Sequence, residues 1–156
     1  MEPDIGIGKK KREAVADALA QALADTYALY QKTHLYHWNV QGPRFGPLHA
    51  LFGVQYNELW VALDPMAERI RALGVMAPTH GAIAKRSTVV ADNDAAPSED
   101  AMLRALLVGN ETLVKSARAA LEVADDAGDQ ATADLMTERC AAGEKAAWML
   151  RAHLAA

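Results

Sequence analysis

Apolar residues recur at three- and four-residue steps through most of this chain, the spacing of one helical face. Val15, Leu19, Leu23, Tyr27, Tyr30, His34 and His37 make the first such stripe. It predicts a helix from about Lys10 to Val40, with Gly42 as the stop signal. His49, Phe52, Gly53, Tyr56, Trp60, Leu63, Asp64, Ala67 and Glu68 make the second. Its helix should open at Pro47, where a missing N–H costs nothing, and stop at Gly74. Two residues fit that helix poorly. Gly53 costs about 1 kcal/mol against alanine in a helix interior. Pro65 lacks the N–H that would bond to the Val61 carbonyl, so the pattern predicts a broken ladder and a bend between Asp64 and Glu68.

Residues 75–97 form a long connection, with a short helix expected near Gly81 to Arg86. Ser98 followed by Glu99 and Asp100 reads as a helix N-terminus. The third long helix should carry Leu103, Leu106, Leu107, Leu113, Val114 and Leu121 inward and end near Asp126. Ala127 and Gly128 make a tight turn. The fourth, from about Asp129 to Leu154, should bury Ala133, Leu135, Met136, Cys140, Trp148 and Met149 in part. Four long helices joined short, long, short predict an all-α fold: a ferritin-like four-helix bundle with one long crossover carrying a short helix. Residues 1–9 read as a flexible tail and residues 10–156 as a single domain.

Composition changes this picture little. The net charge of −4 should repel nucleic acid from most of the surface. Against that, Lys9, Lys10, Lys11 and Arg12 form a basic run that reads either as a small grip on DNA phosphates or as the solvated start of the first helix. The lone Cys140 cannot pair within the chain and fits a reducing, cytoplasmic setting, in which the basic run would allow association with the nucleoid. No apolar run has the length of a membrane span, and the first residues lack the apolar core of a secretory signal.

The chemistry turns on a distance. His37 and His49 flank the first turn and can meet across antiparallel helices packed about 8–10 Å apart. Asp64 and Glu68 share a helix face at i,i+4. His49 and Asp64, fifteen residues apart on one helix, are separated by about 22 Å along its axis. They cannot hold one ion within one chain. The first-helix residues level with the carboxylates, Ala18 to Ala22, offer no strong ligand, and the later helices contain no Glu-x-x-His pair. The chain thus holds an imidazole half-site and a carboxylate half-site, which a two-fold dimer would bring together.

Asp-Ile-Gly-Ile at 4–7, THLYHWNVQG at 33–42, the HALF…QYNEL run at 49–59, LDPMAERIRALG at 63–74, ATADLMTER at 131–139 and EKAAWMLR at 144–151 resemble the Dps family, DNA-protecting proteins of starved cells within the ferritin superfamily. The resemblance covers nearly the whole chain. It implies a twelve-subunit shell that oxidises Fe(II) with hydrogen peroxide or oxygen, stores ferric iron inside and protects against oxidative damage. It implies His37 and His49 from one chain, and Asp64 and Glu68 from its two-fold neighbour, as iron ligands and catalytic residues. Mixed nitrogen and oxygen donors suit iron, and zinc fits them as a non-physiological occupant. Trp38 matches the family's tryptophan beside the site, where it would shield the site, donate an electron or simply pack at the hairpin. Asp125, Asp129 and Asp134 match a segment that lines acidic pores at three-fold axes, or serve as ordinary caps.

One departure stands out. The family usually places a further carboxylate four residues after the second histidine, and here that residue is Gly53. Glu58 falls about half a helical turn away and cannot replace it, and Tyr56 is a poor ligand when neutral. One well-held metal per site is therefore expected, with the second weak or replaced by water. Two other readings follow: a DNA-compacting shell whose ferroxidase site has degenerated, and a plain bundle whose histidines are core residues.

Overall fold

The computed structural model describes residues 1–155. Five helices follow in order: α1 (Lys9–Asn39), α2 (Phe45–Ala72), α3 (His80–Arg86), α4 (Glu99–Ala127) and α5 (Gln130–Leu154). No strand occurs among the described residues. The bundle is built from two hairpins, α1 with α2 and α4 with α5, joined through the packing of α1 on α4. Contact between α2 and α5 is sparse. The short α3 lies against α1 within the crossover.

The core falls into two blocks. Val15, Leu19, Leu23, Met66, Ile70, Ala117, Ala124 and Met136 fill the end that carries Asp64 and Glu68 on its outside. Leu29, Phe52, Leu103, Leu106, Leu113 and Leu150 fill the end beneath the first turn. The apolar stripe of α1 therefore changes face along its length. Val15, Leu19 and Leu23 point inward, but farther on the buried positions are Leu29, Thr33 and Tyr36. Tyr30, His34 and His37 are left half-buried on a flank of the α1/α2 hairpin.

One expected feature is corrected: Trp148 is exposed, whereas its neighbours Ala147 and Leu150 are buried. Pro65 lies inside α2, which stays helical on both sides of it, and the Val61 carbonyl loses its ladder partner as the sequence predicts. Both Val61 and Pro65 lie on the exposed side, where that unbonded carbonyl costs least. The helix ends follow side-chain chemistry. Ser98 caps α4 by accepting from the Ala101 N–H (3.3 Å), and Gly128 closes it in the left-handed region (φ 75°).

Side chains pin the crossover and the first turn. Asp25, fully buried on α1, accepts from the Thr88 backbone N–H (2.6 Å) and from the Ser87 and Thr88 hydroxyls. Asp92 takes the Tyr36 hydroxyl (2.6 Å) and pairs with the buried Lys32. Arg44, just before α2, grips Glu99 (3.0 Å) and Asp100 (2.6 Å) at the start of α4. The Glu99 carboxylate also accepts from the Arg44 backbone N–H (2.8 Å). That carboxylate lies against Gly42, where a Cβ would come within 2.9 Å of it and where φ is +128°. The positive φ favours glycine at that point, and the Glu99 carboxylate would have to shift to admit a Cβ.

Candidate metal centre

The turn held by Arg44 sets the two imidazoles of the α1/α2 hairpin against each other. The His37 and His49 rings stack with centroids 3.8 Å apart. His37 Nδ1–H donates to the His49 carbonyl and His49 Nδ1–H donates to the His37 carbonyl, both at 2.8 Å. Because a carbonyl can only accept, each neutral ring carries its hydrogen on Nδ1 and presents a lone pair on Nε2. Metal-binding histidines are oriented in this way, with the second nitrogen held by a backbone or carboxylate acceptor. Phe45 stacks on the other side of His49, at 5.1 Å.

Gly53 lies under this pair. A Cβ there would meet His37 Cε1 at 3.2 Å and Nδ1 at 3.4 Å. Glu58, farther along α2, is engaged by Arg139, so it is not a free carboxylate near the histidines. Asp64 and Glu68 lie exposed on α2 and make no ion pair or side-chain hydrogen bond among the described residues. The helix keeps them about 22 Å and more from His49. Among the described residues, no three histidine, cysteine, aspartate or glutamate side chains of one chain converge on a point that could hold an ion. The structure thus brings together His37 and His49, and leaves Asp64 and Glu68 as a separate exposed pair.

His34, one turn before His37, belongs to a different cluster. Its ring stacks on Tyr56 (centroids 4.0 Å) and lies 4.1 Å from Trp38, and its Nδ1 is 3.2 Å from the Tyr30 hydroxyl. Burial and the nearby His37 lower its pKa from the ordinary histidine value. The three-residue spacing shows that His34 and His37 share a face, but nothing in it separates one held by aromatics from one held by a backbone carbonyl. The Arg44 clamp was equally hidden, since its acidic partners lie 55 and 56 residues away.

The acidic segment also divides. Asp129 is buried at the start of α5, accepting from the Thr132 N–H (3.1 Å) and hydroxyl (2.6 Å) and pairing with Arg69 (2.7 Å). Burial pushes its carboxyl up, but the Thr132 and Arg69 hydrogen bonds outweigh it and hold the pKa below the ordinary aspartate value. Asp129 is therefore a helix cap and cannot line a pore, whereas Asp125 and Asp134 are exposed. The basic run is mostly occupied within the chain. Lys9 (3.2 Å) and Arg12 (2.6 Å) both reach Glu2, and Lys11 donates to the Asp126 carbonyl (3.2 Å).

Residues 16–156 match the ferritin-like domain family. The chain is 35% identical over 154 residues to a low-temperature-induced protein of Nostoc sp., covering 97% of this chain and 86% of that one. It is 34% identical over 143 residues to the DNA protection during starvation protein of Brevibacillus brevis, covering 92% of this chain and 96% of that one. The crystal structure of a Dps protein from Vibrio cholerae O1 superposes with a TM-score of 0.92 at 32% identity, over 99% of this chain and 97% of that chain. That protein is described as a member of the ferritin-like diiron-carboxylate superfamily.

Proposed function

This chain belongs to the Dps family of the ferritin superfamily, and from that premise we propose that it binds and oxidises Fe(II) at sites shared between two-fold-related copies. His37 and His49 of one copy would hold the ion, with Asp64 and Glu68 of the second completing the site. Assembled as a dodecameric shell, the protein would store the ferric product inside.

The observation that carries this reading is the reciprocal His37–His49 clasp, which leaves both Nε2 atoms unprotonated in the neutral rings. A metal-binding histidine typically donates its other ring N–H to a backbone or carboxylate acceptor, and both rings are held in that way here. The surroundings favour a second copy on this flank. Trp38 (64% exposed), Trp60 (55%) and Phe45 (47%) crowd the same hairpin, an apolar surface of the kind that partner chains cover. Asp64 and Glu68, unpaired in one chain, would supply the negative charge that favours Fe(III) over Fe(II). Hydrogen peroxide or oxygen would take the electrons.

Anaerobic Fe(II) titration followed by either oxidant tests this. Saturable binding, then growth of ferric absorbance that is lost in His37→Ala and in Asp64→Ala, is expected. Oxidation no faster than in protein-free buffer would refute it.

A further inference from the structure

Five aromatic and imidazole rings run without a gap from the candidate iron site into the α1/α2 flank. Tyr56 meets His37 edge-on at 5.1 Å and stacks on His34 at 4.0 Å. Tyr30 lies 5.5 Å from His34 and 6.3 Å from Tyr56, and Trp60 lies 5.3 Å from Tyr30. Within this path Tyr30 alone has a base for its phenolic proton, with its hydroxyl 3.2 Å from His34 Nδ1. The Tyr56 hydroxyl has no side-chain partner among the described residues, and Tyr36, whose hydroxyl goes to Asp92, joins none of these ring contacts. Tyrosine loses an electron most easily when its proton leaves at the same time, so the hydrogen-bonded phenol is the donor and the other rings are the path.

We propose that Tyr30 is a built-in one-electron donor that completes the reduction of hydrogen peroxide at a site holding a single iron. The inference rests on the proposed ferroxidase function. With Gly53 in place of a carboxylate, the site lacks charge for a second cation, and one Fe(II) gives up one electron. Reduction of hydrogen peroxide to two waters requires two. With only one, the O–O bond breaks to hydroxide and a hydroxyl radical, which attacks the nearest side chain. With Tyr30 contributing, Fe(II), hydrogen peroxide, the phenol and one solvent proton become Fe(III), a phenoxyl radical and two waters. The phenolic proton moves to His34 Nδ1 and His34 releases one from Nε2. The peroxide oxygens take up two, so the net uptake is one. A later Fe(II) then supplies one electron to the tyrosyl radical while His34 Nδ1 returns the proton and Nε2 takes one from solvent, which restores the phenol and yields a second Fe(III).

The test is freeze-quench electron paramagnetic resonance on the assembled protein, loaded with Fe(II) anaerobically and mixed with hydrogen peroxide, with a hydroxyl-radical spin trap in a parallel sample. The expected result is a tyrosyl signal that forms with Fe(III), changes hyperfine pattern when ring-deuterated tyrosine is incorporated, and is lost in Tyr30→Phe while the spin adduct rises. Tyr56→Phe, with Tyr30 intact, should keep the signal, which holds the test open if Tyr30→Phe does not assemble. Fe(III) formation without a tyrosyl signal, or a signal that survives Tyr30→Phe or vanishes in Tyr56→Phe alone, overturns the donor role and leaves the ferroxidase reading standing. Absence of Fe(III) formation overturns both.

Discussion

The His37 ring rests on Gly53, with only 3.2 Å between its Cε1 and the place a Cβ would occupy. The glycine's helix-propensity cost therefore has a structural return, since it lets the imidazole lie close over α2. Gly53→Ala should gain up to about 1 kcal/mol in helix propensity, yet weaken Fe(II) binding by displacing His37 a few tenths of an ångström from the His49 carbonyl. Gly53→Asp meets the same contact but adds the missing charge, so it should take up two ions per site where the natural chain takes one. Calorimetric titration of all three proteins separates displacement from charge. Two equally tight ions in the natural chain would show that another group has replaced the acid.

Asp129 links the start of α5 to Arg69 on α2, two helices whose contact is otherwise sparse. Asparagine can still cap the helix, so Asp129→Asn isolates the charge. The loss should be about 1–3 kcal/mol at neutral pH, measured by urea unfolding. The carboxyl's pKa is depressed in the fold, so its contribution is complete above the unfolded aspartate value, about 3.9. That contribution falls away as pH drops through the lower folded value. The natural and variant proteins should therefore converge in stability in acid. A gap that stays constant down to that range would assign the effect to shape alone.

Of the acidic segment, Asp125 and Asp134 are exposed, and the resemblance to the family would make them an acidic funnel through which cations reach a shell interior. Replacing both with asparagine should slow iron uptake, and more so at low salt, where screening is weakest. Stopped-flow uptake at two ionic strengths measures it, and equal rates at low salt would remove these residues from the entry route.

Three of the four cations in the run Lys9 to Arg12 already have partners in the chain, and Lys10 has none among the described residues. Gel-shift titration with duplex DNA should therefore show only weak retardation that disappears with modest added salt. Tight, salt-resistant retardation would favour the DNA-compacting reading instead.

The helix order, the crossover and the separation of imidazoles from carboxylates were legible in the sequence because periodicity and rise per residue determine them. Ser98, Gly128 and the His37–His49 approach follow the same local rules. Periodicity does not place Trp148, because an apolar residue beside buried Ala147 and Leu150 fits the pattern while it is itself exposed. Periodicity places Pro65 inside α2 but does not show that it and Val61 face outward, where the lost hydrogen bond costs least. Asp129 looked like part of an acidic cluster because its partner Arg69 lies sixty residues away. The mutual backbone bonds of the two histidines leave no trace in composition or spacing.

The central claim is that each iron site is assembled from two chains, and subunit mixing tests it most directly. His37→Ala and Asp64→Ala proteins, each inactive alone, are dissociated, mixed in equal amounts and reassembled, and Fe(II) oxidation is followed by absorbance. Every mixed two-fold pair then contains one site with both halves damaged and one with both intact. Random pairing should restore about a quarter of the natural activity. Activity in the mixture that never exceeds that of either parent would contradict the shared site.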